Sequence, residues 1–88
     1  MGWEEPVFEA KVESVLKNCS AGHDVGDFFE INTHKTDGIC GWCYHDLFPM
    51  LMTLCMDGKI PWRENQDEWA YECPDRYNLV TFKIRKKT

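Results

Sequence analysis

Thiols are the side chains of this chain best suited to chemistry near neutral pH, and five of them are laid out as Cys19-x3-His23, Cys40-x2-Cys43, a lone Cys55 and Cys73-Pro74-Asp75. A thiolate can ligate a soft metal, attack an electrophile or exchange with a disulfide, and its surroundings decide which. As metal ligands, Cys19, His23, Cys40 and Cys73 make the three-thiolate, one-imidazole set that suits Zn or an iron centre. As an enzyme, the chain offers Cys40 or Cys19 as the catalytic nucleophile, with His23 placed to act as a base for Cys19. Cys40-Gly41-Trp42-Cys43 also reads as a redox dithiol at a helix start, where the dipole and free N–H groups favour a thiolate. The bland alternative is packing, because free cysteine is a small, soft, commonly buried side chain. That reading suits Cys55, in a run of Leu and Met, and Cys43, which shares a helix stripe with Leu47 and Leu51.

The elements that must position these groups can be read from periodicity. From Pro6 to Lys17, Phe8, Ala10, Val12, Ser14 and Leu16 alternate with charged or polar neighbours, which describes a strand with one wet face. After a polar, glycine-bearing turn, Phe28 to Ile31 reads as a second strand with Phe29 and Ile31 inward. Cys40, Cys43, Leu47, Leu51, Leu54 and Cys55 then recur at helical spacing, with Thr36-Asp37 as a cap and Gly58 at the C-terminal end. Pro49 inside that helix leaves the carbonyl of His45 unpaired and predicts a kink. Trp69, Tyr71 and Cys73, and then Val80, Phe82 and Ile84, alternate on either side of the turn Pro74-Asp75-Arg76-Tyr77-Asn78. The expected fold class is α+β, in the order β-β-α-β-β: one kinked helix on a small, mainly antiparallel sheet.

That topology poses a geometric question for any site built on Cys19 and Cys40. Cys19 ends the first strand at the turn, and the second strand runs about 17 Å away from it before the helix begins. The loop Asn32–Gly38 must lead the chain back, and seven extended residues reach at most about 25 Å.

At 88 residues the chain is expected to form a single domain, residues 1–88, with 1–5 and 85–88 frayed. Its net charge of −5 disfavours nucleic acid as a partner, since phosphate binding depends on clustered Lys and Arg. The apolar run Leu47–Met56 is far short of the roughly 20 residues of a membrane span, so no membrane partner is expected. Met1–Pro6 lacks the basic start and apolar block of a secretory signal, which points to a cytoplasmic protein with reduced thiols. Trp42, Trp62, Trp69, Tyr44, Tyr71 and Tyr77 exceed what one thin core encloses. Trp42 and Tyr44, flanking the cysteine stripe, are expected to mark a homo-oligomer surface or the wall of a small-ligand pocket.

Cys19-x2-Gly22-His23-x2-Gly26-Asp27, Gly38-x-Cys40, Pro61-Trp62 and Cys73-Pro74-Asp75, followed by Val80-x-Phe82-x-Ile84, stand in an order that resembles a family of small uncharacterised bacterial and archaeal proteins. Those proteins carry the same C-x-x-G-H-x-x-G-D and C-P-D signature, and the resemblance runs from about Val12 to Ile84. It brings no activity with it. It implies that Cys19, His23, Cys40 and Cys73 are the family-like positions, and that Cys43 and Cys55 are particular to this chain. The functional expectation is a ligand- or metal-binding module on a Cys/His cluster; the alternative is a thiol enzyme or redox protein using Cys40, with Cys43, or Cys19.

Overall fold

The computed structural model describes residues 4–87. The elements follow as β1 (Phe8–Val15), β2 (Phe28–Ile31), α1 (Gly41–Cys55), β3 (Glu68–Glu72) and β4 (Val80–Lys86). The fold is the expected α+β arrangement, a β-β-α-β-β chain with every strand pairing antiparallel. In space the strands run β2-β1-β4-β3, so the two ends of the chain supply the central pair and α1 connects the two edges. Among the described residues no helix is long and apolar enough to cross a membrane.

Alternation sets the inward face of the sheet: Phe8, Ala10 and Val12 on β1, Ile31 on β2, Trp69 and Tyr71 on β3, and Val80, Phe82 and Ile84 on β4 are all buried. The pattern fails at the end of β1, where the pairing with β4 slips between Val12 and Ser14. One extra residue reverses which side chains face inward. Val15 therefore packs on the core, and Leu16, whose phase in the alternation points inward, is 65% exposed.

Helix α1 covers this face with Cys43, Leu47, Leu51 and Cys55, which fall on one stripe and are buried. Burying a side chain of the size of Leu47 or Leu51 contributes roughly 1.5–3 kcal/mol. Both helix ends differ from the expected caps. The N-cap is Cys40, with no side-chain cap bond. Thr36 and Asp37 are used in the preceding loop, where the Thr36 carbonyl accepts from Ile39 N–H at 3.0 Å and Asp37 Oδ2 accepts from Glu30 N–H at 2.8 Å. At the other end the left-handed residue is Asp57 (φ 61°), not Gly58. Gly58 is required for a different reason: its N–H bonds the Thr53 carbonyl at 2.8 Å, and a Cβ there would stand 2.7 Å from two Thr53 atoms. Pro49 lies inside the helix, which runs unbroken from Gly41 to Cys55.

The basic end is more ordered than a frayed tail. Arg85 and Lys86 are rungs of β4, paired with Glu9 and Phe8 of β1. Lys83 pairs with Glu68 at 3.7 Å, Arg85 with Glu9 at 3.2 Å, and Lys87 with Glu30. Near the other end Glu5 holds the loop through Thr33 and His34. Residues 1–3 and 88, the rest of the ends expected to fray, lie outside the described residues. Of the aromatics, Trp69 and Tyr71 are buried, Tyr44 is half-buried with its hydroxyl donating to the Asn32 carbonyl at 2.8 Å, and Trp42, Trp62 and Tyr77 are exposed.

Candidate functional site

The sheet is extended at one end beyond its formal strands. Leu16 N–H bonds the Leu79 carbonyl at 2.9 Å, Lys17 N–H bonds that of Asn78 at 3.3 Å, and Cys73 N–H bonds that of Val80 at 2.9 Å. These bonds carry the β1 extension toward Cys19 alongside the turn that follows Cys73. The chain after β2 comes back to the same end, because Cys40 N–H donates to His23 Nε2 at 3.0 Å. Ile39, buried just before, anchors the return in the core. The geometric question posed by Asn32–Gly38 is answered by contact.

Cys19, Cys40 and Cys73 thus line one cleft of about 330 Å³, shared with Ser20, Ala21, Trp42 and Val80. Asp75 and Asn78 also border it, but their polar groups are largely turned to each other. Asn78 Nδ2 donates to Asp75 Oδ2 at 3.0 Å, and Asp75 Oδ1 accepts from Tyr77 N–H, also at 3.0 Å. These bonds hold the Asp75 carboxyl below its ordinary value, the bond from Asn78 contributing most. The cleft is left with apolar walls and three sulfurs.

His23 has a structural task. It is 8% exposed, its ring lying 4.8 Å from that of Phe29 and 6.4 Å from that of Phe82. Accepting at Nε2 from a backbone N–H places its own proton on Nδ1. The Nε2 lone pair that would bind a metal or take a proton from Cys19 is engaged by Cys40 N–H. The ring therefore pins the start of α1 to the loop that carries Cys19.

Cys43 takes the buried place on the Leu47 and Leu51 stripe that its spacing predicts. It is 1% exposed, and burial pushes its thiol well up, reinforced by the nearby Cys73 and by Cys40 and Cys19. Cys19, Cys40 and Cys73 are thus all within electrostatic reach of Cys43. The available signal was the x2 spacing from Cys40: with Cys40 as N-cap, Cys43 falls in the first helical turn, facing the sheet. Cys73 Sγ in turn accepts from Asp75 N–H at 3.4 Å, the turn chemistry of Cys73-Pro74-Asp75 aiming a donor at the sulfur. Hydrogen bonds of that kind suit a sulfur that carries negative charge. Behind the pair, Tyr71 donates to Asp46 Oδ2 at 3.0 Å, and burial together with that bond pushes its phenol up. Cys55 lies apart at the far end of α1, bonded to the Met52 carbonyl at 3.3 Å, in a packing role.

All five cysteines are free thiols. Among the described residues, no three His, Cys, Asp or Glu side chains already form a group able to hold a metal ion. Comparison with protein-family models, with curated proteins and with solved structures finds no match for the chain.

Proposed function

We propose that this protein is a thiolate-based binding module that takes up a soft divalent ion, Zn²⁺ or Fe²⁺, on Cys19, Cys40 and Cys73, with Cys43 rather than His23 as the fourth ligand. The observation that carries the reading is the cleft itself: three cysteines from segments far apart in sequence border one cavity, and a fourth, Cys43, is buried in the first turn of the helix that Cys40 caps. A soft ion is the class of ligand that thiolates select. Asp75 N–H donates to Cys73 Sγ, and Cys40 stands at the N-cap of α1 without a side-chain cap bond. Because the sulfurs are not gathered in advance, binding requires rotation of the cysteine side chains and release of the Cys43 proton, so uptake is pH-dependent.

The test is elemental analysis of protein purified without chelator, followed by Co²⁺ titration of the reduced, metal-free chain. Stoichiometric metal and a sulfur-to-cobalt charge-transfer band are expected, both lost in Cys73→Ser and Cys40→Ser and kept in Cys55→Ser. Absence of both from the reduced wild type overturns the reading.

A second reading rests on Cys40-Gly41-Trp42-Cys43, which spans the N-cap and first turn of α1 with Cys40 on the cleft. A thiol enzyme or redox protein using Cys40, with Cys43, or Cys19 requires one cysteine to alkylate much faster than the others near pH 7. Equal, slow alkylation of all five excludes it.

A further inference from the structure

We propose that the outer edge of β3 is a docking site for an extended, basic segment of another protein, which joins the sheet as an added strand. The backbone decides which groups are on offer. Cys73 N–H bonds the Val80 carbonyl at 2.9 Å and Lys86 N–H bonds the Asp67 carbonyl at 2.7 Å, just beyond the two ends of β3. Bonds recur at every second residue of an antiparallel pair, so Asp67, Trp69, Tyr71 and Cys73 turn their polar backbone groups toward β4. Glu68, Ala70 and Glu72 therefore turn theirs away from the sheet, where among the described residues nothing bonds them. The opposite edge is closed: β2 has only four residues, and Asp37 Oδ2 takes up the Glu30 N–H at 2.8 Å. Beside the open edge, Tyr71 reaches Asp46 of α1 at 3.0 Å, and Gly41, Trp42, His45, Asp46 and Pro74 line a groove of about 440 Å³. Trp42, an aromatic of the kind that anchors interfaces, is 68% exposed there.

Charge selects the occupant. Residues 64–75 hold Glu64, Asp67, Glu68, Glu72 and Asp75 and neither Lys nor Arg. On the outer face of the sheet Glu68 and Glu72 flank the small Ala70, and each already draws a cation, Lys83 at 3.7 Å and Arg76 at 2.9 Å. A second copy paired antiparallel about Ala70 would set Glu68 against Glu72 twice, and like charges directly opposite are destabilising. A strand with Lys or Arg at two positions four apart meets both carboxylates instead. Its main chain bonds the N–H and C=O groups of Glu68, Ala70 and Glu72, with a small residue opposite Ala70. The two intervening side chains fall on the other face, toward the groove, where apolar or aromatic groups meet Trp42. The site is independent of the metal reading, since none of the three edge residues borders the cysteine cleft.

The probe is a synthetic end-capped peptide, Ser-Lys-Val-Thr-Tyr-Lys-Ser, titrated into the isotope-labelled full chain and followed by NMR. Saturable shifts are expected at Glu68, Ala70, Glu72 and the Trp42 indole, with a dissociation constant below about 1 mM and slowed hydrogen exchange at the three edge amides. Binding is expected to weaken at least about tenfold when both peptide lysines are replaced by glutamate, and as much in Ala70→Pro, which deletes one outward N–H and leaves the pairing with β4 intact. N-methylation of the peptide's central threonine removes a main-chain bond to the edge without touching the protein, so the outcome does not hang on how a variant folds. No saturable shift at about 1 mM peptide, shifts centred on β2, or equal binding of the N-methylated peptide overturns the proposal. A dimer in sedimentation equilibrium whose edge amides are protected without peptide assigns the edge to a second copy and overturns it as well.

Discussion

Two side chains at the ends of loops show how single residues set the geometry of the site. His23 accepts from Cys40 N–H in a nearly dry environment, so removing the ring leaves that donor unpaired and a gap beside Phe29 and Phe82. His23→Ala is expected to lower stability by about 2–4 kcal/mol, read as a fall in the urea midpoint, while His23→Gln, which restores an acceptor, recovers part of it. Metal stoichiometry survives in His23→Gln if the fourth ligand is Cys43. Glu5 plays the matching part for the other loop. Burial opposes its charge, but bonds from Thr33 and His34 outweigh it and hold the carboxyl below its ordinary value of 4.5. A carboxyl depressed on folding contributes stability that is fully present above the unfolded value and is lost as pH falls through the folded one. Wild type should therefore exceed Glu5→Gln in melting temperature at pH 7, and the gap should close below about pH 4.

At the scale of elements, α1 is built from a plain apolar stripe and ends on two compromises. Asp57 is held at φ 61° although it is not glycine, and Gly58 is pressed against Thr53. Asp57→Gly is expected to raise stability by about 0.5–1 kcal/mol by relieving the left-handed backbone. Gly58→Ala is expected to lower it by about 1–3 kcal/mol, since the added methyl meets backbone that cannot give way. Equilibrium urea unfolding of the two variants checks both signs. The slip in β1 belongs to the same scale: it turns Leu16 out to solvent while keeping Val12 and Val15 on the core. Alternation can be read residue by residue, but a bulge depends on the pairing partner, β4, which lies almost the whole chain away.

For the whole molecule, the arrangement of strands brings the site together. β1 and β4 pair centrally, the β3–β4 turn lies at the end where β1 stops, and α1 starts from that end. Metal binding to the folded chain alone would stabilise it by mass action, about 2.7 kcal/mol at a hundredfold excess over the dissociation constant. For a domain of this size that is a rise of roughly 10–20 °C in melting temperature, reversed by chelator and absent in Cys73→Ser. An unchanged melting curve on adding Zn²⁺ to reduced protein would count against the site.

The amino-acid sequence alone determined the local periods of this protein and so its fold class. Strand alternation around Phe8, Trp69 and Phe82 and the helical stripe from Cys43 to Cys55 are properties of neighbours along the chain, and they are visible there. The candidate thiols were legible by residue type. Their grouping was a matter for the tertiary structure, because Cys19, Cys40 and Cys73 meet through contacts between distant segments. Those contacts also decided what the sequence left open for two residues: the imidazole of His23 is engaged by a backbone donor, and Cys43, legible as a packing residue of its stripe or as a dithiol partner of Cys40, is buried against the sheet.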